Sequence, residues 1–77
     1  MNNDRRKRID ALLETLMDLS TEVSSLAEEE REAFDAMPES LQGSERGEAA
    51  DEAAGQLEEA IDNMDALLEA LREASSH

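Results

Sequence analysis

Seventy-seven residues carry 21 Asp and Glu against 7 Lys and Arg, a formal net charge of −14, with one aromatic side chain, one His and no Cys. That length bounds the chain to a single domain, and the missing cysteines exclude a disulfide framework or a thiolate metal site. The acidity excludes direct, sequence-independent nucleic-acid binding, which needs Lys and Arg to neutralise phosphates.

The chain opens on a basic run, Arg5, Arg6, Lys7 and Arg8. The stretch after it, Ile9 to Leu19, contains Asp10, Glu14 and Asp18, so it is not the apolar segment of a secretory signal. No run approaches the roughly 20 apolar residues of a membrane span. A cytoplasmic protein with no membrane association is therefore expected.

The spacing predicts a first helix over about residues 4–37. Ile9, Leu12, Leu16, Leu19, Val23, Leu26, Glu30, Ala33 and Met37 follow one another at alternating steps of three and four, the seam of a heptad repeat. A further column, Leu13, Ser20, Ala27 and Phe34, flanks that seam. Glu30 is the one acid on the seam; it is expected to fix register, with Arg31 and Arg46 as the nearest cations to pair with it.

A turn is predicted over residues 38–44. Pro38 pushes the residue before it out of helical geometry and ends the first helix near Met37. Gly43 can supply a positive φ, Leu41 is expected to plug the end of the core, and Ser44 is the best N-cap for a second helix. That helix is predicted over about residues 45–74, with the seam Ala50, Ala53, Leu57, Ala60, Met64, Leu67, Leu71 and Ala74 and a flanking column of Ala54, Ile61 and Leu68.

A short turn makes the helices antiparallel neighbours. The expected fold is all-α: a coiled-coil-like two-helix hairpin. An apolar stripe three columns wide is broader than a two-helix seam needs, and 17 large apolar residues beyond Met1 make a thin core for one chain. The hairpin is thus expected to dimerise into a four-helix bundle, with Leu13, Phe34, Ile61 and Leu68 as the dimer interface. In the folded hairpin the basic run is expected beside Glu69 and Glu73, clamping the open end.

Function is sought on the surface. Asp10, Glu14, Asp18 and Glu22 recur every fourth residue, and Glu58, Asp62, Asp65 and Glu69 at steps of four, three and four. Such ladders keep a sticky helix in solution. They also present a charge density comparable with that of duplex DNA to any basic groove. Glu14, Asp18, Glu22, Glu58, Asp62, Asp65 and Glu69 are the expected partner-binding residues. No catalytic, cofactor or metal residue is identified. There is no Ser–His set or phosphate loop, and the Glu-x-x-His pattern of bundle metal sites is missing, the only histidine being His77. Ser20, Thr21, Ser24 and Ser25 form a polar strip with no base nearby, and a hairpin is expected to lack a substrate-sized pocket.

The turn Met37-Pro38-Glu39-Ser40-Leu41-Gln42-Gly43-Ser44-Glu45-Arg46-Gly47-Glu48, with Phe34 and the Glu-rich stretch before it, resembles a group of small acidic helical proteins of bacteriophages and prophages. The likeness covers residues 22–72, and the turn is its most specific part. It implies a mobile-element origin and transfers no functional residue, because the group has no assigned activity. Two functions are consistent with these readings. One is a non-enzymatic interaction protein that binds a basic surface of a host protein, as a nucleic-acid mimic or an inhibitor of host defence. The other is an assembly module that acts only through helix–helix homodimerisation.

Overall fold

The computed structural model describes residues 1–77 as three helices, α1 (Asn3–Asp35), α2 (Glu39–Gln42) and α3 (Glu45–Ser75). No strand is present. α1 and α3 run antiparallel along a rod with extents of 58 × 15 × 13 Å.

Local chemistry sets the helix ends. The Asn2 side chain accepts from the Arg5 amide at 2.9 Å, filling one of the unpaired donors of the first turn of α1. α1 stops at Asp35, two residues before the expected end. Ala36 caps it, and the Met37 amide donates to the Phe34 carbonyl at 3.1 Å, tightening the last turn ahead of Pro38. The segment predicted as a turn then forms the single helical turn α2. Ser44 caps α3 as expected: its hydroxyl accepts from the Gly47 amide at 3.3 Å.

Three details of the turn differ from expectation. Leu41 is exposed. Gln42 seals the end instead, donating through Nε2 to the carbonyls of Phe34 and Met37 at 3.3 and 3.2 Å and satisfying acceptors at the C-terminus of α1. Gly43 has φ −86°, so its left-handed freedom is unused. The glycine the turn requires is Gly47, buried where α2 crosses the start of α3; a Cβ there would overlap the carbonyl oxygens of Leu41 and Gln42.

Between the long helices, a series withdrawn from solvent runs along α1 through Ile9, Leu13, Leu16, Ser20, Val23, Ala27, Glu30 and Phe34 and continues to Met37 just beyond it, with Arg6, Ser24 and Arg31 half-buried beside it. On α3 the matching series is Gly47, Ala50, Ala54, Leu57, Ile61, Met64, Leu68, Leu71 and Ser75, with Ala53, Ala60 and Ala74 half-buried beside it. Both keep the alternating three–four step, so the heptad reading holds, but on α1 one column is exchanged, while on α3 only Leu67 of the expected seam is exposed. The columns expected to flank the seam, with Leu13 and Phe34 on α1 and Ile61 and Leu68 on α3, turn into the hairpin. The column of Leu12, Leu19, Leu26 and Ala33, expected inside it, is exposed. Side-chain size accounts for the exchange. Ser20 and Ala27 are small, and Ala27 and Ala54 are buried to 4% and 0% exposure, so the helices approach closely there; a column of leucines in their place would hold them apart.

The four residues expected to bind a second hairpin thus serve the first one. The expected ion-pair clamp is also not formed: neither Glu69 nor Glu73 pairs with the basic run, and the only ion pairs in the molecule belong to Arg31. The open end is closed by the Met1 amino group donating to a main-chain oxygen of His77 at 2.7 Å and by the Ser75 hydroxyl donating to Asp10 Oδ1 at 3.4 Å.

Candidate protein-interaction surfaces

The hairpin has two unlike edges. In an antiparallel pair, the residues that follow the shared seam column on each helix meet along one edge, and the residues that precede the other column meet along the opposite edge.

The first edge carries Asp10, Met17, Ser24 and Arg31 from α1 and Asp51, Glu58, Asp65 and Arg72 from α3. Arg31 ties it together. One guanidinium nitrogen reaches Asp51 Oδ1 at 2.7 Å and the other reaches Glu58 Oε1 at 2.9 Å, two carboxylates seven residues apart on α3. The guanidinium also lies 5.8 Å from the centroid of the Phe34 ring, within cation–π range. The hydrogen bond to Glu58 and then that to Asp51 hold the guanidinium pKa above its already high ordinary value. Arg31 therefore pairs across the hairpin, not with Glu30 as expected. Glu30 is half-buried and has no ion-pair partner.

Beside Arg31 lies an open groove of about 720 Å³ lined by Ser20, Thr21, Ser24, Ser25, Glu28 and Glu58 among others. It is an open surface groove, not an enclosed cavity. Only two of its ten lining residues, Ala27 and Ile61, are apolar, whereas small-molecule sites are lined mostly by apolar side chains. The expected serine strip is here, facing carboxylates and one arginine.

The opposite edge is apolar. It carries Leu12, Leu19, Leu26 and Ala33 from α1 and Ala53, Ala60, Leu67 and Ala74 from α3. Its leucines are 57%, 47%, 52% and 48% exposed at positions 12, 19, 26 and 67. Sequence reading placed these leucines inside the hairpin and so missed this surface.

All seven expected acidic site residues are exposed. The four–three–four spacing of Glu58, Asp62, Asp65 and Glu69 holds them in one strip along the polar edge of α3. Steps of four advance by more than the 3.6-residue turn, so Glu14, Asp18 and Glu22 wind away around the back of α1. The seven residues do not form one site. Twenty of the 21 acids are exposed, Glu30 being the exception, and only Asp51 and Glu58 are ion-paired, which leaves 19 without a cationic partner. No three carboxylates or imidazoles converge as metal ligands, and no helix is long and apolar enough to cross a membrane. Comparison with protein-family models, with curated proteins and with solved structures finds no match.

Proposed function

We propose that this chain is a non-enzymatic interaction protein of phage or mobile-element type, acting in the cytoplasm, whose acidic strip binds a basic surface of a host protein. The supporting observation is the set of 19 carboxylates that no intramolecular cation neutralises. Surface ion pairs contribute little to folding, yet here acids crowd a surface where like charges at helical spacing repel. Twenty-one acids on a 58 Å rod amount to one per about 2.8 Å, against one phosphate charge per about 1.7 Å of duplex axis. The field is weaker than that of DNA but of the same kind, and a groove built for phosphates would accept it. Charge-driven binding of this kind is fast and salt-sensitive.

Crosslinking and capture from host lysate over a salt series test this proposal, with the chain compared to a variant carrying Asp62→Asn, Asp65→Asn and Glu69→Gln. Capture of a basic partner that weakens with salt and is lost in the variant is expected. A partner held equally well by the variant in high salt would refute the electrostatic reading.

A second reading, assembly by homodimerisation into a four-helix bundle, is supported by the leucines on the apolar edge. The two readings are compatible, because they use opposite edges of the rod.

A further inference from the structure

The distribution of charge along the rod, taken with the apolar edge, determines how two copies fit together. The open end, residues 1–17 with 69–77, holds five bases (Arg5, Arg6, Lys7, Arg8 and Arg72) and five acids, a net of zero. The turn end, residues 28–59, holds twelve acids and two bases, a net of −10. The four acids between them complete the chain's −14. The molecule is therefore strongly polar from end to end.

The leucines of the apolar edge have a symmetry of their own. Leu19 is the midpoint of α1 (Asn3–Asp35), with Leu12 and Leu26 seven residues to either side. The Asp10–Ser75 contact and the Arg31 pairs set a register that brings Leu67 of α3 to the same level as Leu19. The apolar patch is thus centred on the rod, and a two-fold axis across the rod at Leu19 maps it onto itself.

We infer that two copies pair through the Leu12, Leu19, Leu26 and Leu67 edge with their turns at opposite ends. This inference rests on the self-association reading above and adds the face and its polarity. In this arrangement α1 packs on α1 of the second copy: Leu19 meets Leu19, and Leu12 meets Leu26. Each open end, which holds five of the chain's seven bases, lies along the acid-rich turn end of the other copy. Pairing with both turns together would instead set two −10 ends side by side, a like-charge juxtaposition that selects against that geometry. Size permits the contact: the face runs the 58 Å length of the rod, and its leucines at 12, 19, 26 and 67 are 57%, 47%, 52% and 48% exposed in a single copy, apolar surface that pairing removes from water. The polar edges with their Arg31 grooves then face outward on the two sides of the assembly, leaving both acidic strips free.

Sedimentation equilibrium and spin-label distances test this on the full chain, which has no native cysteine to remove. A mass of two 8.5 kDa chains is expected. With a label on Ser40→Cys, at the turn end, the distance between the two labels should be near the 58 Å length of the rod. Leu19→Glu should reduce the mass to one chain, while Met17→Glu, on the polar edge, should leave two. A single-chain mass for the unaltered protein overturns self-association altogether. A two-chain mass with labels within about 20 Å, the span of neighbouring helices, overturns the polarity alone. A two-chain mass that Met17→Glu abolishes and Leu19→Glu does not overturns the choice of face.

Discussion

Gly47 and Gly55 are both inside α3, and the same substitution should have opposite effects at the two. At Gly55 a Cβ would meet nothing within 4 Å. Gly55→Ala should therefore give the ordinary gain for glycine in a helix, about 0.5–1 kcal/mol. At Gly47 the same methyl group would overlap the carbonyl oxygens of Leu41 and Gln42 and the Gln42 carbonyl carbon. These are backbone atoms of α2, which the Gln42 side chain ties to the end of α1 at 3.3 and 3.2 Å, so they have little room to yield. Overpacking of this kind costs about 1–3 kcal/mol, more than the helix-propensity gain of up to about 1 kcal/mol. Thermal unfolding followed by circular dichroism at one protein concentration should show Gly55→Ala melting several degrees higher and Gly47→Ala several degrees lower than the parent, given about 4–8 °C per kcal/mol for a domain of this size. A Gly47→Ala chain as stable as Gly55→Ala would refute the close approach of α2 to α3.

The geometry sets three other outcomes. Leu68, buried between the helices, and Leu67, its exposed neighbour, should separate in a chain held monomeric by Leu19→Glu: Leu68→Ala should cost about 2–5 kcal/mol and Leu67→Ala about 0.5 kcal/mol or less, by chemical denaturation. Arg31→Lys should lower the melting temperature, because one ammonium cannot bridge Asp51 and Glu58 as the planar fork does; the deficit should shrink in concentrated salt. Salt should also act in opposite directions on the two associations. It screens the repulsion between two −14 chains and so strengthens self-association, and it weakens capture of a basic partner, as parallel titrations of both equilibria would reveal.

The helices and the turn were legible in the sequence because local rules determine them. Alternating three–four spacing, Pro38 and the Ser44 cap act within a few residues, and the structure keeps them. The choice between columns was not legible, because both candidates on α1 are apolar enough to be core. Leu12, Leu19 and Leu26 outweigh Leu13, Ser20 and Ala27 in hydrophobicity, yet the hairpin closes on the smaller set, since helix separation depends on side-chain volume on both partners at once. Two signals pointed the other way. Phe34, the only aromatic residue, is in the smaller column, and Arg31 can bridge Asp51 and Glu58 only if that column faces inward. Gly47 also had a signal, a poor helix former kept within the first turn of a helix otherwise rich in Ala, Leu and Glu, which marks a close backbone approach. The expected pairing of Arg5–Arg8 with Glu69 and Glu73 failed because long exposed side chains gain little from being held in one geometry.

The exchange of columns underlies both proposed surfaces, and side-chain accessibility measures it directly. In a Leu19→Glu chain with labelled leucine methyl groups, a water-soluble paramagnet should broaden the signals of Leu12, Leu26 and Leu67 and leave those of Leu13, Leu16, Leu57 and Leu68 comparatively sharp. Strong broadening of Leu13 and Leu68 with protection of Leu12 and Leu26 would contradict the hairpin described here and the apolar edge built on it.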